Sequence, residues 1–422
     1  MAILTIGDPI PWFTLPSSSN PNYHFDTVGG YQVILFFFGS TKAEPVGQMV
    51  REFCALQNQL AQVGVPFFGV SIDPADQALI ELIEHPTYCK FLWDFDQRVS
   101  RQFGVCADNS QGSEYAPTTF ILDETLRVLQ VFPLDQSSDY TRRIFTYVSQ
   151  LPKFASATAA ARQAPILMIP RVLDPGLCRS LIQLYEEDGG RDSGFMREVD
   201  GKTVEILDPG FKKRRDLNLA DTPLLDTVNQ MVLRRIKPEI EKVFQFTITR
   251  FERHLVACYE ATNQGFFNRH RDNTTKGTAH RRFAMSLNLN TGEYAGGNLR
   301  FPEYGNQLYT PEAGEAIIFS CSLLHEATPV TQGRRFALLS FFYNDEDARL
   351  RERNRKFLGT LSDTSNAMDQ PQSANDRSPS AADPLSSIPD SQPAVQPAVQ
   401  PAVRPAKGAT KTGFQPKRSK KR

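Results

Sequence analysis

A chain of 422 residues is too long for one ordinary domain, and 40% hydrophobic residues with 30 Phe exclude global disorder. Basic and acidic residues balance at 47 each, yet residues 404–422 hold eight basic and no acidic side chains, which leaves 1–403 with 39 against 47, a net of −8. That charge excludes a uniformly basic nucleic-acid-binding surface apart from the tail, and apolar runs such as 33–38 are far too short to cross a membrane.

In chain order, residues 33–38 form a continuous apolar run of the buried-strand type, and 44–60 place Val46, Met49, Val50, Phe53, Leu56 and Leu60 at helical spacing. A second strand over 66–72, a second helix over 75–83 and a hairpin of 120–122 with 128–132 complete an α/β unit over 1–152. An alanine-rich joint at 153–163 follows. The next unit, 164–350, opens with a short strand at 166–169. A helix over 177–187 has Asp174 as N-cap, Pro175 in its first turn and Gly189 to close it. A longer helix is predicted from Thr222-Pro223 to about Val243, bent at Pro238. From Thr247 onward, short apolar strands separated by Asn, Gly and Pro turns predict a β-sandwich or barrel with helices outside.

Residues 358–422 are rich in Ser, Pro, Ala, Gln and Asp, with Pro-Ala-Val-Gln at 393–396 and 397–400, and are expected to be disordered. Cys54, Cys89, Cys106, Cys178, Cys258 and Cys321 show neither C-x-x-C nor zinc spacing. With no basic stretch followed by an apolar run near Met1, they read as reduced thiols in a cytoplasmic protein.

The chemistry concentrates in His270-Arg271-Asp272, with His325 and Arg335 downstream. H-x-D alone is weak; His24-Phe25-Asp26 repeats it with nothing matching around it. Two ligands one residue apart suit a strand end, where i and i+2 share a face, and a third must come from another strand, for which His325 is placed. Two histidines and one carboxylate suit Fe(II), filling three octahedral positions and leaving three open. A guanidinium ten residues after the third ligand could clamp a distal carboxylate. Val256-Ala257-Cys258-Tyr259 precedes the motif, and Gly296-Gly297-Asn298-Leu299-Arg300-Phe301 separates its halves.

Together these segments resemble the Fe(II)/2-oxoglutarate dioxygenases of the prolyl 4-hydroxylase type. The resemblance implies a double-stranded β-helix (jelly roll) with flanking helices, and His270, Asp272 and His325 as iron ligands. It implies that Arg335 binds the C5 carboxylate of 2-oxoglutarate and that Tyr259 is a second contact. Arg334 competes with Arg335, which is preferred because Gly333 stands two residues before it. Many relatives carry tyrosine where this chain has Asn288, before Leu289-Asn290, so Asn288 takes that co-substrate position. The implied reaction is hydroxylation of a C–H bond coupled to decarboxylation of 2-oxoglutarate to succinate and CO₂. It requires Fe(II), O₂ and ascorbate as reductant; no catalytic residue is expected beyond the iron ligands.

Gly7-Asp8-Pro9, Phe13-Thr14-Leu15, the 33–38 strand and Thr119-Phe120-Ile121-Leu122-Asp123 resemble a peroxiredoxin-type thioredoxin fold. Peroxidase chemistry needs a thiolate, a hydroxyl and a guanidinium around the peroxide. Aligned on that family, the proline becomes Gly39, the threonine Ala43, the cysteine Val46 and the arginine Pro117. This unit is therefore expected to be redox-dead and to bind or position a protein partner.

The expected substrate is a polypeptide, with peptidyl proline favoured, or a small molecule. Two polar segments are expected as flexible rims, 273–279 and 192–215, the second carrying Lys212-Lys213-Arg214-Arg215, whose charge favours an acidic substrate. A redox adaptor and a non-catalytic sensor of iron and 2-oxoglutarate remain as alternatives.

Overall fold

A computed structural model describes residues 3–109, 112–135, 137–153, 157, 159–220 and 222–359. The tail expected from 358 lies outside them from 360 onward, as does part of the 153–163 joint. Leu358 and Gly359, expected in the tail, are ordered against Thr203: Gly359 N donates to Thr203 O at 2.9 Å.

The N-terminal domain is built on a five-stranded sheet in the order Cys89–Trp93, Phe67–Ser71, Val33–Gly39, Thr118–Leu122, Val128–Pro133. The first three strands are parallel and the last two antiparallel. Strand alternation splits the central run between two cores. Ile34, Phe36 and Phe38 meet the helices Val46–Ala55 and Tyr140–Ser149, while Val33, Leu35 and Phe37 meet Phe13, Phe25 and Phe103. The helix predicted over 44–60 is broken at Leu56, with a second helix at Gln57–Val63. The helix predicted over 75–83 is a 3₁₀ segment, Pro74–Leu82, capped by Asp73.

The C-terminal domain holds two antiparallel sheets. The larger runs Leu167–Ile169, Ala316–Ser320, Phe283–Asn288, Arg334–Tyr343, Leu255–Glu260, Arg215–Asn218, Arg191–Asp192, with Arg250–Phe251 also paired to Arg334–Tyr343. Its outer face, with Val256, Cys258, Met285, Leu287, Phe336 and Leu338, packs on Pro175–Asp188 and the 225–244 helices. Asp174 caps the first of these as expected, accepting from Leu177 N at 3.0 Å. The inner face, with Ala257, Tyr259, Ala284, Ile317 and Phe319, meets the smaller sheet. That sheet has the order Lys212–Lys213, Phe266–His270, His325–Ala327, Leu299–Arg300, Leu308–Tyr309.

Three expectations change here. The long helix is interrupted by a π turn, Val232–Ile236, between Leu225–Met231 and Lys237–Phe244. Pro238 stands in the first turn after the break, where its missing N–H is tolerated. The 192–215 segment, expected as an irregular rim, contains the hairpin Phe195–Val199 with Lys202–Ile206 and further short strands. The 273–279 loop is anchored: Thr275 and Thr278 are buried and bond each other, and Gly277 N donates to Thr203 Oγ1 at 2.9 Å.

The two domains belong to one compact unit. Buried charges join them. Asp8 accepts from Arg235 Nε at 3.0 Å and Arg234 Nη2 at 2.6 Å, Arg127 reaches Glu239 at 3.1 Å and Gly7 O, and Arg171 pairs with Asp123. Gly7, at φ +89°, is required there: a Cβ would sit 2.1 Å from Arg171 O. Among the described residues, no helix is long and apolar enough to cross a membrane.

Candidate active site

A cavity of about 440 Å³ opens between the two C-terminal sheets. His270 ends one strand and pairs directly with His325 on its antiparallel neighbour, which brings two residues 55 positions apart onto one wall. Asp272 follows His270 and is held by its own N–H, which donates to Cys321 O at 2.9 Å.

The tautomers follow from the partners. His270 Nδ1 lies 2.7 Å from Asn268 O and His325 Nδ1 lies 3.0 Å from Leu323 O. A carbonyl only accepts, so both Nδ1 atoms must donate, and both Nε2 atoms present lone pairs. Those lone pairs face the carboxylate: His270 Nε2 is 3.5 Å from Asp272 Oδ1 and His325 Nε2 is 3.4 Å from Oδ2. The three ligand atoms lie within 4.8 Å of one another. Lone pairs converging with no donor between them repel unless a cation or proton sits among them, and two nitrogens with one oxygen suit a divalent first-row metal. Burial, then His270, pushes the His325 imidazole down to about 4, so metal in place of a proton suits this site near neutral pH. Burial alone would raise the Asp272 carboxyl, but the two imidazoles and Arg281 outweigh it and hold the group well below its ordinary range.

Arg335 lies on the same cavity, 1% exposed, with its Cζ 5.3 Å from the centre of the Tyr259 ring. Nε and Nη2 donate to Asn288 Oδ1 at 3.2 and 2.9 Å, and Nη2 to Ser286 Oγ at 3.1 Å. No carboxylate partners it among the described residues. Arg334 faces the other way and pairs with Glu186 at the surface. Asn288, expected to touch a co-substrate, stands behind Arg335, its amide nitrogen taken up by Thr291, Tyr294 and Pro311. Gly297, at φ +64°, leaves room for the guanidinium stem, since a Cβ there would lie 3.0 Å from Arg335 Cδ.

Lys212 and Arg214, expected only as part of a charged rim, stand in the cavity itself. Lys212 is buried and Arg214 part-buried, while Arg215 is exposed. Arg214 pairs with Asp216 at 2.6 Å and donates to Tyr259 Oη at 3.3 Å. Burial, reinforced by Arg214, pushes the Lys212 ammonium well below its ordinary value. His254 and His280 lie off the metal cluster, bonded to Asn229 at 3.0 Å and Glu252 at 2.6 Å.

In the first domain, Val46 begins a helix as a buried apolar side chain, Gly39 has the Tyr115 ring against it, and Pro117 O accepts from Leu134 N. Ala43 sits in the turn before that helix. Cys54 is buried near its end beside Cys89, and that contact together with burial pushes the Cys89 thiol up. Among the described residues, no thiol stands at positions 39, 43, 46 or 117.

Residues 254–343 match the family model of the 2OG-Fe(II) oxygenase superfamily, and residues 6–131 that of the AhpC/TSA family. A Coxiella burnetii protein named as a peroxiredoxin is 29% identical over 136 residues, which is 31% of this chain and 89% of that protein. Among solved structures, a Pseudomonas putida prolyl-4-hydroxylase is 18% identical, covering 42% of this chain and 92% of its own (TM-score 0.32). A Trichoplax adhaerens prolyl hydroxylase in complex with a hypoxia inducible factor peptide is 16% identical, covering 44% and 86% (TM-score 0.35). The chain therefore joins an N-terminal domain of the AhpC/TSA family to a C-terminal domain of the 2OG-Fe(II) oxygenase superfamily.

Proposed function

We propose that this protein is an Fe(II)- and 2-oxoglutarate-dependent dioxygenase that hydroxylates peptidyl proline, with a jelly-roll catalytic unit over 164–350. His270, Asp272 and His325 hold the iron, which when bound supplies oxygen activation coupled to decarboxylation of 2-oxoglutarate. The reading rests on one observation: three metal-binding atoms and a buried guanidinium with no counter-ion among the described residues line the same cavity.

This chain's own groups bind and orient. Arg335 offers its free N–H edge to the C5 carboxylate, and Asn288 and Ser286 fix the plane of that edge. Tyr259 adds a hydroxyl beside it, itself oriented by Arg214. Phe267, Leu299, Phe319 and Ala327 exclude water around the histidines. Ascorbate serves as reductant, the location is cytoplasmic, and the 1–152 unit acts as a non-redox module. The test is Fe(II)-dependent succinate formation from 2-oxoglutarate, with a gain of one oxygen on a proline-containing peptide. His270→Ala or Asp272→Ala should abolish both; full turnover in either variant defeats the assignment. Oxygen entering free amino acids but no peptide defeats the peptidyl reading alone.

A further inference from the structure

The cavity is lined by more cations than one co-substrate uses, and Arg253, exposed at its edge, has no carboxylate partner among the described residues. Arg214, Arg269, Arg271 and Arg281 each have a carboxylate: Asp216 at 2.6 Å, Glu326 at 3.4 Å, Glu303 at 2.7 Å and Glu252 at 3.0 Å. Two buried basic side chains lining the cavity have none among the described residues. One is Arg335, which the proposed function assigns to 2-oxoglutarate. The other is Lys212, 7% exposed.

Lys212 has the geometry of a half-satisfied receptor. Its Nζ donates to Ser193 Oγ at 2.7 Å and to Gly194 O, and lies 4.9 Å from the Phe267 ring centre. Among the described residues no carboxylate oxygen comes within 4.0 Å of it. An ammonium has three donors, so one remains. The other face of the arrangement leads to the metal cluster, since Phe267 stacks on His270 with ring centres 3.5 Å apart. Arg335 sits elsewhere, beyond Tyr259 and Arg214. Burial disfavours the ammonium form of Lys212, and a carboxylate placed against Nζ would restore that form on binding.

We propose that Lys212 is the base of a second anion subsite that receives a carboxylate of the substrate, separate from the co-substrate carboxylate at Arg335. Resting on the peptidyl-proline reading, this makes the substrate a peptide with Asp or Glu immediately beside the target proline. The hairpin Phe195–Val199 with Lys202–Ile206, which contributes Phe195, Met196 and Glu205 to the cavity, forms the adjoining wall.

The test uses the full chain with Fe(II) and saturating 2-oxoglutarate, and matched proline peptides with Asp, Asn or Lys at the flanking position. The Asp peptide should show a peptide KM about tenfold or more below the Asn peptide, with Lys disfavoured, as expected for one charge-assisted hydrogen bond. Lys212→Met should erase the preference and Lys212→Arg should keep most of it, thermal melting confirming that each is folded. The unsubstituted protein's choice between Asp and Asn decides the matter even if Lys212→Met does not fold. Equal use of all three peptides overturns the subsite and leaves the hydroxylase reading standing. A rise in the 2-oxoglutarate KM of Lys212→Met, with the peptide preference intact, also overturns it by assigning Lys212 to the co-substrate. Oxidation of no peptide at all overturns both readings.

Discussion

Asp8 links the domains from a fully buried position, so its removal gives a sharp prediction. The side chain is 0% exposed and accepts from Arg235 Nε at 3.0 Å, Arg234 Nη2 at 2.6 Å and Thr5 N at 2.6 Å. At an effective dielectric of about 20, unit charges about 3 Å apart attract by roughly 5–6 kcal/mol. Breaking a buried pair from one side costs roughly 3–5 kcal/mol, because the partner charge stays buried. Arg235 is that partner: after Asp8→Ala its guanidinium keeps only Val172 O, Arg171 O and Thr5 Oγ1. A loss of that size is a large part of the roughly 5–15 kcal/mol that holds a protein folded. The only two tryptophans, Trp12 and Trp93, are in the N-terminal domain, so fluorescence follows that domain while uncoupled 2-oxoglutarate turnover follows the other. In urea the two transitions should coincide, and Asp8→Ala should lower both midpoints by roughly 1–2 M for a slope of about 2–3 kcal/mol per M. Asp8→Leu combined with Arg235→Met should recover much of the loss, since apolar groups of similar volume can replace a buried pair. A midpoint change equivalent to less than about 1 kcal/mol, the size of a surface pair, would refute the argument. So would fluorescence changing while turnover persists.

Arg335→Ala should raise the 2-oxoglutarate requirement at least about thirtyfold, from the roughly 2–5 kcal/mol of a truncated buried charge pair, while metal binding by calorimetry is retained. Arg334→Ala, at an exposed pair, should change it little; the reverse outcome would exchange the two roles. The full chain should consume no peroxide above a thiol-only background, and consumption abolished by Cys54→Ser would restore a redox role to the first domain. Burial pushes the His254 imidazole down to about 4, below its unfolded value of about 6.5. The unfolded chain therefore takes up the proton first as pH falls, and stability should drop between about 6.5 and 4 by roughly 3 kcal/mol. His254→Gln should flatten that part of the denaturation profile relative to the unsubstituted protein, and an unchanged slope would reject the assignment.

The parts of the site legible in the sequence were those carried by local spacing. His270 and Asp272 lie two apart at a strand end, and the run after His325 supplied its arginine. The choice between Arg334 and Arg335 was harder, because both faces of Arg334–Tyr343 are buried: Phe336 and Leu338 meet helices, while Leu339 and Phe341 meet the other sheet. Period-2 alternation tells the faces apart but not which one holds the cavity, and the Gly333 offset carried the preference. The four consecutive cations at 212–215 read as a charged rim, because nothing local tells which of them is covered. Pairing of Lys212 with Phe267 buries the first of them in the cavity. The π turn at Val232–Ile236 had no local signal, as it falls where Arg234 and Arg235 both reach Asp8 in another domain.

That contact also bears on how firmly the first domain is held. Gly7 and Asp8, part of the segment by which the first domain resembles peroxiredoxins, are the residues that close on Arg171 and Arg235. Arg127, at the start of the hairpin's second strand, donates to Arg235 O at 3.2 Å as well as to Glu239. The same helical segment thus receives a carboxylate at one end of the interface and a guanidinium at the other, so sliding either domain would separate two buried pairs at once. Ile236 and Ile240, on the helix those charges grip, belong to the core beneath Val256 and Leu338, on the larger sheet that carries Arg335. Fixing that helix from outside therefore braces the sheet that carries Arg335.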